Sequence, residues 1–136
     1  MKLDVYFIDA FADKVFTGNP AAVIFTDIDD EKLMQKIASE NNLSETAFVN
    51  LTKDTNYIRW FSPLKEVDLC GHATLASAHI IYSEMNYKSD YIEFNIKSGD
   101  VLTVNRNGNL LTMNFPAYEP KIIEHSLDEL YNAFGV

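Results

Sequence analysis

The sequence predicts an α+β lobe, a curved mixed or antiparallel β-sheet wrapped around one central buried helix. Three observations carry this. The stretch from Ala73 to Met85 is rich in small residues and apolar on almost every side, through Ala73, Leu75, Ala76, Ala78, Ile80 and Ile81. A helix without a polar face is enclosed by other elements. Short runs of alternating apolar residues stand before and after it, as half-buried strands do. Asn107-Gly108 lies between two such runs, a strong hairpin signal that makes the closing region an antiparallel meander.

Taken in order, Leu3, Val5 and Phe7 alternate with Asp4 and Tyr6 and predict a first strand with these three on one face. Phe16-Thr17-Gly18-Asn19-Pro20 is a turn, and Ala22 to Phe25 a second strand. Asp29 or Asp30 caps a helix whose apolar face is Leu33, Met34 and Ile37, and Asn41-Asn42 ends it. Ser44 to Val49 is a short strand entering the core. Asn56 to Phe61 is another, with Tyr57, Arg59 and Phe61 on one face and Ile58 and Trp60 on the other. A loop follows Pro63, and a strand-like run ends at Cys70, where the central helix begins. Tyr91 to Ile96, Val101 to Val104 and Leu110 to Phe115 are the later strands. Pro116 to Glu124 is a connector. Ser126 with Glu129 forms a capping box for a last helix through Phe134.

The chain has 136 residues, enough for one domain with a real core. Its formal charge of -9 and pI near 4.6 argue against nucleic acid or an anionic membrane as partner, since both need a basic face. No apolar run approaches a membrane span. The start, MKLDVYFIDAF, has no long apolar segment and carries Asp4 and Asp9, so it does not read as a signal peptide. Cys70 is the only cysteine, which rules out an internal disulfide and fits a reducing, cytoplasmic setting.

Three places hold candidate chemistry. Cys70, Gly71 and His72 open the central helix, where free N–H groups and the helix dipole favour a carboxylate or phosphate. His72 there suits proton transfer or substrate orientation. Cys70 is either a nucleophile or acid/base group, or simply a buried small apolar residue. Glu45, between a helix and an apolar strand, is a candidate general acid or base, with a surface glutamate as the plain alternative. Asn19 sits in a tight Gly-Asn-Pro turn and has a function only if its side chain faces a pocket. No metal site is expected: His72, His79 and His125 do not pair at ligand spacing, and there is no CxxC or HExxH. The glycines are isolated, so no phosphate-binding loop is present.

Together these pieces resemble a known family. Asp9-Ala10-Phe11, Thr17-Gly18-Asn19-Pro20-Ala21-Ala22-Val23, Asn42-Leu43-Ser44-Glu45-Thr46-Ala47-Phe48, Arg59-Trp60-Phe61-Ser62-Pro63 and Glu66 to Thr74 occur in the order and spacing of the amino-terminal half of the PhzF-like phenazine-biosynthesis family. That family is similar in fold to diaminopimelate epimerase and proline racemase. The resemblance implies one lobe of a diaminopimelate epimerase-like fold, with residues 1–117 as the lobe and 118–136 as a linker and helix leading toward a second lobe. It implies an active site in the cleft between two such halves, and an isomerase that moves a proton without any cofactor. In the phenazine branch the substrate is a dihydro-hydroxyanthranilate. Glu45 would be the proton shuttle. Gly71 and His72 would hold the carboxylate or amine region of the substrate, and Asn19 would line the pocket. Cys70 and Ser44 are secondary candidates: the related racemases and epimerases use a cysteine just before this glycine in catalysis, but with Glu45 present in its motif the resemblance implies a structural Cys70, a second proton carrier being the alternative. The carboxyl half normally adds an aspartate and a serine, which have no counterpart after Phe115. Two arrangements follow: a lobe that pairs with a second lobe or with itself as a homodimer around a small carboxylate-bearing substrate, or a non-catalytic binding module or inactive half.

Overall fold

The computed structural model describes residues 2–117, 119–122 and 127–135. Its elements are β1 (Tyr6–Ala10), β2 (Asn19–Phe25), α1 (Glu31–Asn41), β3 (Glu45–Leu51), β4 (Asn56–Phe61), β5 (Glu66–Val67), α2 (Gly71–Glu84), β6 (Tyr91–Asn95), β7 (Val101–Asn107), β8 (Leu110–Asn114) and α3 (Asp128–Phe134). The strands form one mixed sheet in the order β1-β2-β3-β4-β6-β7-β8, with β5 paired to β4. β2 runs parallel to β3, and β4 meets β6 in parallel only through Tyr57 and Asn95. The remaining pairs are antiparallel.

Helix α2 packs against β1, β2 and β3 and also against β8, at the opposite end of the strand order. A sheet can touch one helix with both ends only by curling around it, which is the predicted architecture. Period-two alternation supplies the inner layer: Ala21 and Val23 from β2, Ala47 and Val49 from β3, Ile58 and Trp60 from β4. Ile92, Phe94, Leu102 and Val104 continue it around the curve. Alanines 73, 76 and 78 let the strands approach α2 closely, and Ile80 and Ile81 fill the far end. The buried hydroxyls are satisfied within the helix: Thr74 Oγ1 donates to the Cys70 carbonyl at 2.6 Å, and Ser77 Oγ to the Ala73 carbonyl at 2.7 Å.

A second, smaller layer lies outside. Ile24, Phe48 and Phe61 face Met34 and Ala38 of α1, while Leu33 and Ile37 are only partly buried. β2 and β3 are therefore covered on both faces, which explains their unbroken apolar runs. Asp30 caps α1, accepting from the Lys32 and Leu33 amides, and Asn42 ends it in the left-handed conformation.

Several expectations need correction. The first strand is Tyr6–Ala10, and its core-facing residues are Tyr6 and Ile8; Phe7 is 65% exposed. Register decides this, because Tyr6 and Ile8 pair with Val23 and Ala21, which face α2. Leu3 and Val5 belong to the outer layer with α1. β5 pairs two residues with β4 inside the segment read as a loop and strand-like run. α3 begins at Asp128, with Leu127 at its cap position and no side-chain cap bond. Ser126, the expected capping residue, and His125 lie outside the described residues.

Candidate active site

Glu45, Ser44, Cys70 and His72 meet at one end of the lobe. β2 and β3 run side by side from this end, with Ala21 opposite Glu45. The left-handed turn at Asn42 sends the chain from α1 into β3, which places Ser44 and Glu45 at the strand's mouth. Helix α2 starts at the same end and carries His72 in its first turn.

His72 is buried, 8% exposed overall. Its ring has partners on both nitrogens. Nε2 lies 3.5 Å from Glu45 Oε2 and 3.4 Å from Ser44 Oγ. Nδ1 lies 3.4 Å from Cys70 Sγ. Ser44 Oγ is also 3.4 Å from the Pro20 carbonyl, its acceptor. The Glu45 side chain keeps 22% of its surface open, while its Oε2 faces the imidazole. Such a pair can accept a proton, hold it and give it back.

Cys70 occupies the cap position of α2 without capping it. Burial, reinforced by the Glu45 carboxylate, pushes its thiol up to about 12, against the opposing pull of the Ala73 and His72 backbone amides. At neutral pH it is a thiol, not a thiolate nucleophile. Glu45, Cys70 and His72 each offer a ligand-type atom, and these lie within 4.8 Å of one another. Histidine spacing along the chain did not reveal this grouping, since Glu45 arrives from another element.

Gly71 has a second reason for its identity. A Cβ there would lie 2.7 Å from Phe115 Cζ and 3.6 Å from Met113 Cε. The aromatic ring at the end of β8 thus rests against the first residue of α2. Sequence reasoning missed Phe115, because this contact joins segments more than forty residues apart. Asn19 opens β2 at the exposed rim, beside Pro20. Gly18 supports that turn: its φ is +88°, and a Cβ would lie 2.5 Å from the Ala10 carbonyl oxygen.

A cavity of about 720 Å³ lies elsewhere, around Thr26, Asn50, Tyr57, Arg59, Asn95 and Lys97. It shares no residue with the Glu45–His72 cluster. Its cations are already paired: Arg59 donates to both Glu66 carboxylate oxygens at 2.7 and 2.9 Å and to Glu31 at 2.8 Å, and Lys97 donates to Glu66. Its volume is therefore a poorer guide to chemistry than the acid/base cluster.

The curled α+β lobe, with a glutamate–histidine pair beside a helix N-terminus, can be compared with known families. The profile of the PhzC-PhzF family, described as phenazine biosynthesis-like protein, matches residues 8–135, and the chain belongs to that family. An uncharacterized isomerase of Pseudomonas aeruginosa is 49% identical over 100% of this chain and 52% of its own length. The human phenazine biosynthesis-like domain-containing protein is 40% identical over 99% of this chain and 50% of its own. The crystal structure of a PhzF family protein from Enterococcus faecalis superposes with a TM-score of 0.84 at 41% identity, covering 98% of this chain and 51% of that one. The chain spans about half the length of the curated relatives it matches. Among the described residues, no helix is long and apolar enough to cross a membrane.

Proposed function

We propose that this chain supplies one lobe of a cofactor-independent isomerase that transfers a proton within a small carboxylate-bearing metabolite. The observation that carries this reading is the partly buried Glu45 side chain, whose Oε2 lies 3.5 Å from the buried His72 Nε2. The names of the relatives, uncharacterized isomerases among them, support the reaction class. The ionised Glu45 takes a proton from a substrate carbon. The resulting carbanion is stabilised by the adjacent carboxyl-bearing system, and Glu45 returns the proton to another carbon on the same face. The proton leaves and comes back, so the step needs no oxidant or reductant. His72 and the first amides of α2 hold the anionic part of the substrate, with Gly71 allowing close approach and Asn19 at the rim.

The lobe works best when covered. Phe11, Val15 and Phe16, in the loop leading to Asn19, are 74%, 82% and 97% exposed, and Phe115 at Gly71 is 50% exposed. Apolar side chains exposed on the loop before Asn19 and beside Gly71 support a second lobe, or a second copy of this one, closing over this end. Water exclusion then strengthens the electrostatics of the site. The half-length match to the relatives also supports a second reading, a lobe that binds a small carboxylate without turning it over.

Solvent deuterium incorporation tests the choice. The chain, alone and mixed with the carboxyl-terminal half of a full-length relative, is incubated in D2O with a panel of small cyclic and α-substituted carboxylates. Mass spectrometry reads the label. Label in at least one substrate, lost in Glu45→Gln with the fold intact, is the expected result. Equal labelling by Glu45→Gln would remove Glu45 from the chemistry, and binding without label would favour the second reading.

A further inference from the structure

We infer that Glu45, Cys70 and His72 form a three-ligand site for a zinc-like divalent cation. The site is a property of the free lobe; only its effect on turnover rests on the proton-transfer reading.

Proximity is the first argument. One sulfur, one imidazole nitrogen and one carboxylate oxygen lie within 4.8 Å of one another. Cys70 Sγ is 3.4 Å from His72 Nδ1, and Glu45 Oε2 is 3.5 Å from Nε2. The Glu45 side chain also hydrogen-bonds the thiol, so the three groups are mutual neighbours rather than a row. With zinc bonds of about 2.3 Å to sulfur and about 2.0 Å to nitrogen or oxygen, ligands on a tetrahedral ion stand about 3.3–3.6 Å apart. The close pairs here already have that spacing. The fold fixes where the ligands start: Glu45 opens β3, and Cys70 and His72 flank the first residue of α2. Thr74 Oγ1 holds the Cys70 carbonyl at 2.6 Å. Ser44 Oγ, 3.4 Å from Nε2, is close enough to orient the ring.

Charge is the second argument. An ion that binds the sulfur displaces the thiol proton to solvent, and no oxidation state changes. The thiolate and the ligating carboxylate then carry two negative charges against the two positive charges of the ion. Burial penalises a lone thiolate at Cys70, but the same burial suits a cluster whose charges cancel. Sulfur, imidazole and a single carboxylate suit Zn2+ or Co2+, whereas Mg2+ and Ca2+ prefer sets of oxygens. Three protein ligands leave a fourth position open. Such an ion occupies both Glu45 and His72, so it would inhibit proton transfer rather than assist it.

The test is an optical titration of the reduced 136-residue chain with Co2+ alone, at neutral pH and without substrate. The expected result is a near-ultraviolet sulfur-to-cobalt charge-transfer band that saturates at one ion per chain. Zn2+ should bleach it and Mg2+ should not. Cys70 is the only cysteine, so a band in the unmodified chain assigns the sulfur without any variant. Glu45→Gln and His72→Gln, with folds checked by circular dichroism, should each raise the half-saturating cobalt concentration by at least about tenfold. No charge-transfer band with cobalt in large excess would overturn the proposal; cobalt held by surface carboxylates gives none. An unchanged half-saturation in either variant that folds would overturn it too, since the ion would then lack that ligand. Cobalt binding is read without substrate, so it stands or falls apart from the deuterium result.

Discussion

Replacing Glu66 with Gln probes the weakest seam of the sheet. β4 and β6 meet through one register pair, Tyr57 with Asn95, assisted by Asn56 Nδ2 to the Glu93 carbonyl and Asn95 Nδ2 to the Asn56 carbonyl. Charges complete the join. Glu66 on β5 grips Arg59 on β4 with both oxygens and takes a further bond from Lys97, just beyond β6. The Arg59 and Glu66 side chains are 20% and 13% exposed. Breaking a fully buried pair costs about 3–5 kcal/mol and an exposed pair about 0–1. Glu66→Gln keeps the shape but loses the charge, so about 2 kcal/mol is expected. With an unfolding entropy of about 2.1 cal/mol/K per residue, that is a Tm fall of roughly 7 °C at pH 7.

The pH dependence carries the sign. The Arg59 hydrogen bond first, then Lys97, hold the Glu66 carboxyl below its ordinary value of 4.5 against the cost of burial. A depressed carboxylate stabilises the fold above its unfolded pKa, and that contribution disappears as pH falls through the folded value. The Tm gap between the two proteins is therefore expected to be full at pH 7 and to close below pH 4.5. Thermal melts followed by circular dichroism from pH 7 down to acid measure it. A gap that stays constant across this range, or one under about 0.5 kcal/mol at pH 7, would refute the role given to the charge.

Two other perturbations bear on the site. Gly71→Ala puts a methyl 2.7 Å from Phe115 Cζ and is expected to cost about 1–3 kcal/mol, most of it recovered in the Gly71→Ala/Phe115→Ala double variant. Additive effects in urea melts would show that the ring does not press on α2. Cys70 governs the alkaline side: unfolding frees a thiol of ordinary pKa 9.0 that the fold holds near 12. Its contribution is intact below pH 9.0 and is lost as pH rises toward the folded value, by up to about 1.4 kcal/mol per pH unit. Cys70→Val should flatten that slope, and an unchanged slope would mean that the thiol ionises freely in the folded lobe.

Where one element's own residues carry the signal, the sequence was readable. The all-round apolar α2, the Asn107-Gly108 hairpin and the two faces of β4 follow from local pattern, and Ile58, Trp60 and Phe61 lie in the layers expected of them. Pairing was harder. Local alternation could not tell whether Tyr6 or Phe7 faced inward, since register with β2 decides it. The candidate site was legible as separate pieces. The resemblance to a family linked Glu45, Gly71 and His72, but the contacts of Cys70 and Ser44 on opposite nitrogens of one ring depend on three elements meeting. The Arg59–Glu66 grip and the seat of Phe115 on Gly71 escaped for the same reason: neither partner's immediate sequence hints at the other.

The enclosure of α2 also constrains the order of folding. This helix lies in the middle of the chain yet touches both β1 and β8. It has no amphipathic stripe on which a partial sheet could nucleate it. Long loops must close before its burial repays their entropy, so the lobe belongs among slow, high-contact-order folders. His72 then acquires its neighbours late, in the same step that brings β8 against Gly71. In pulse-labelled hydrogen exchange, α2 and β8 amides should gain protection together, and early protection of α2 alone would contradict this sequence of events.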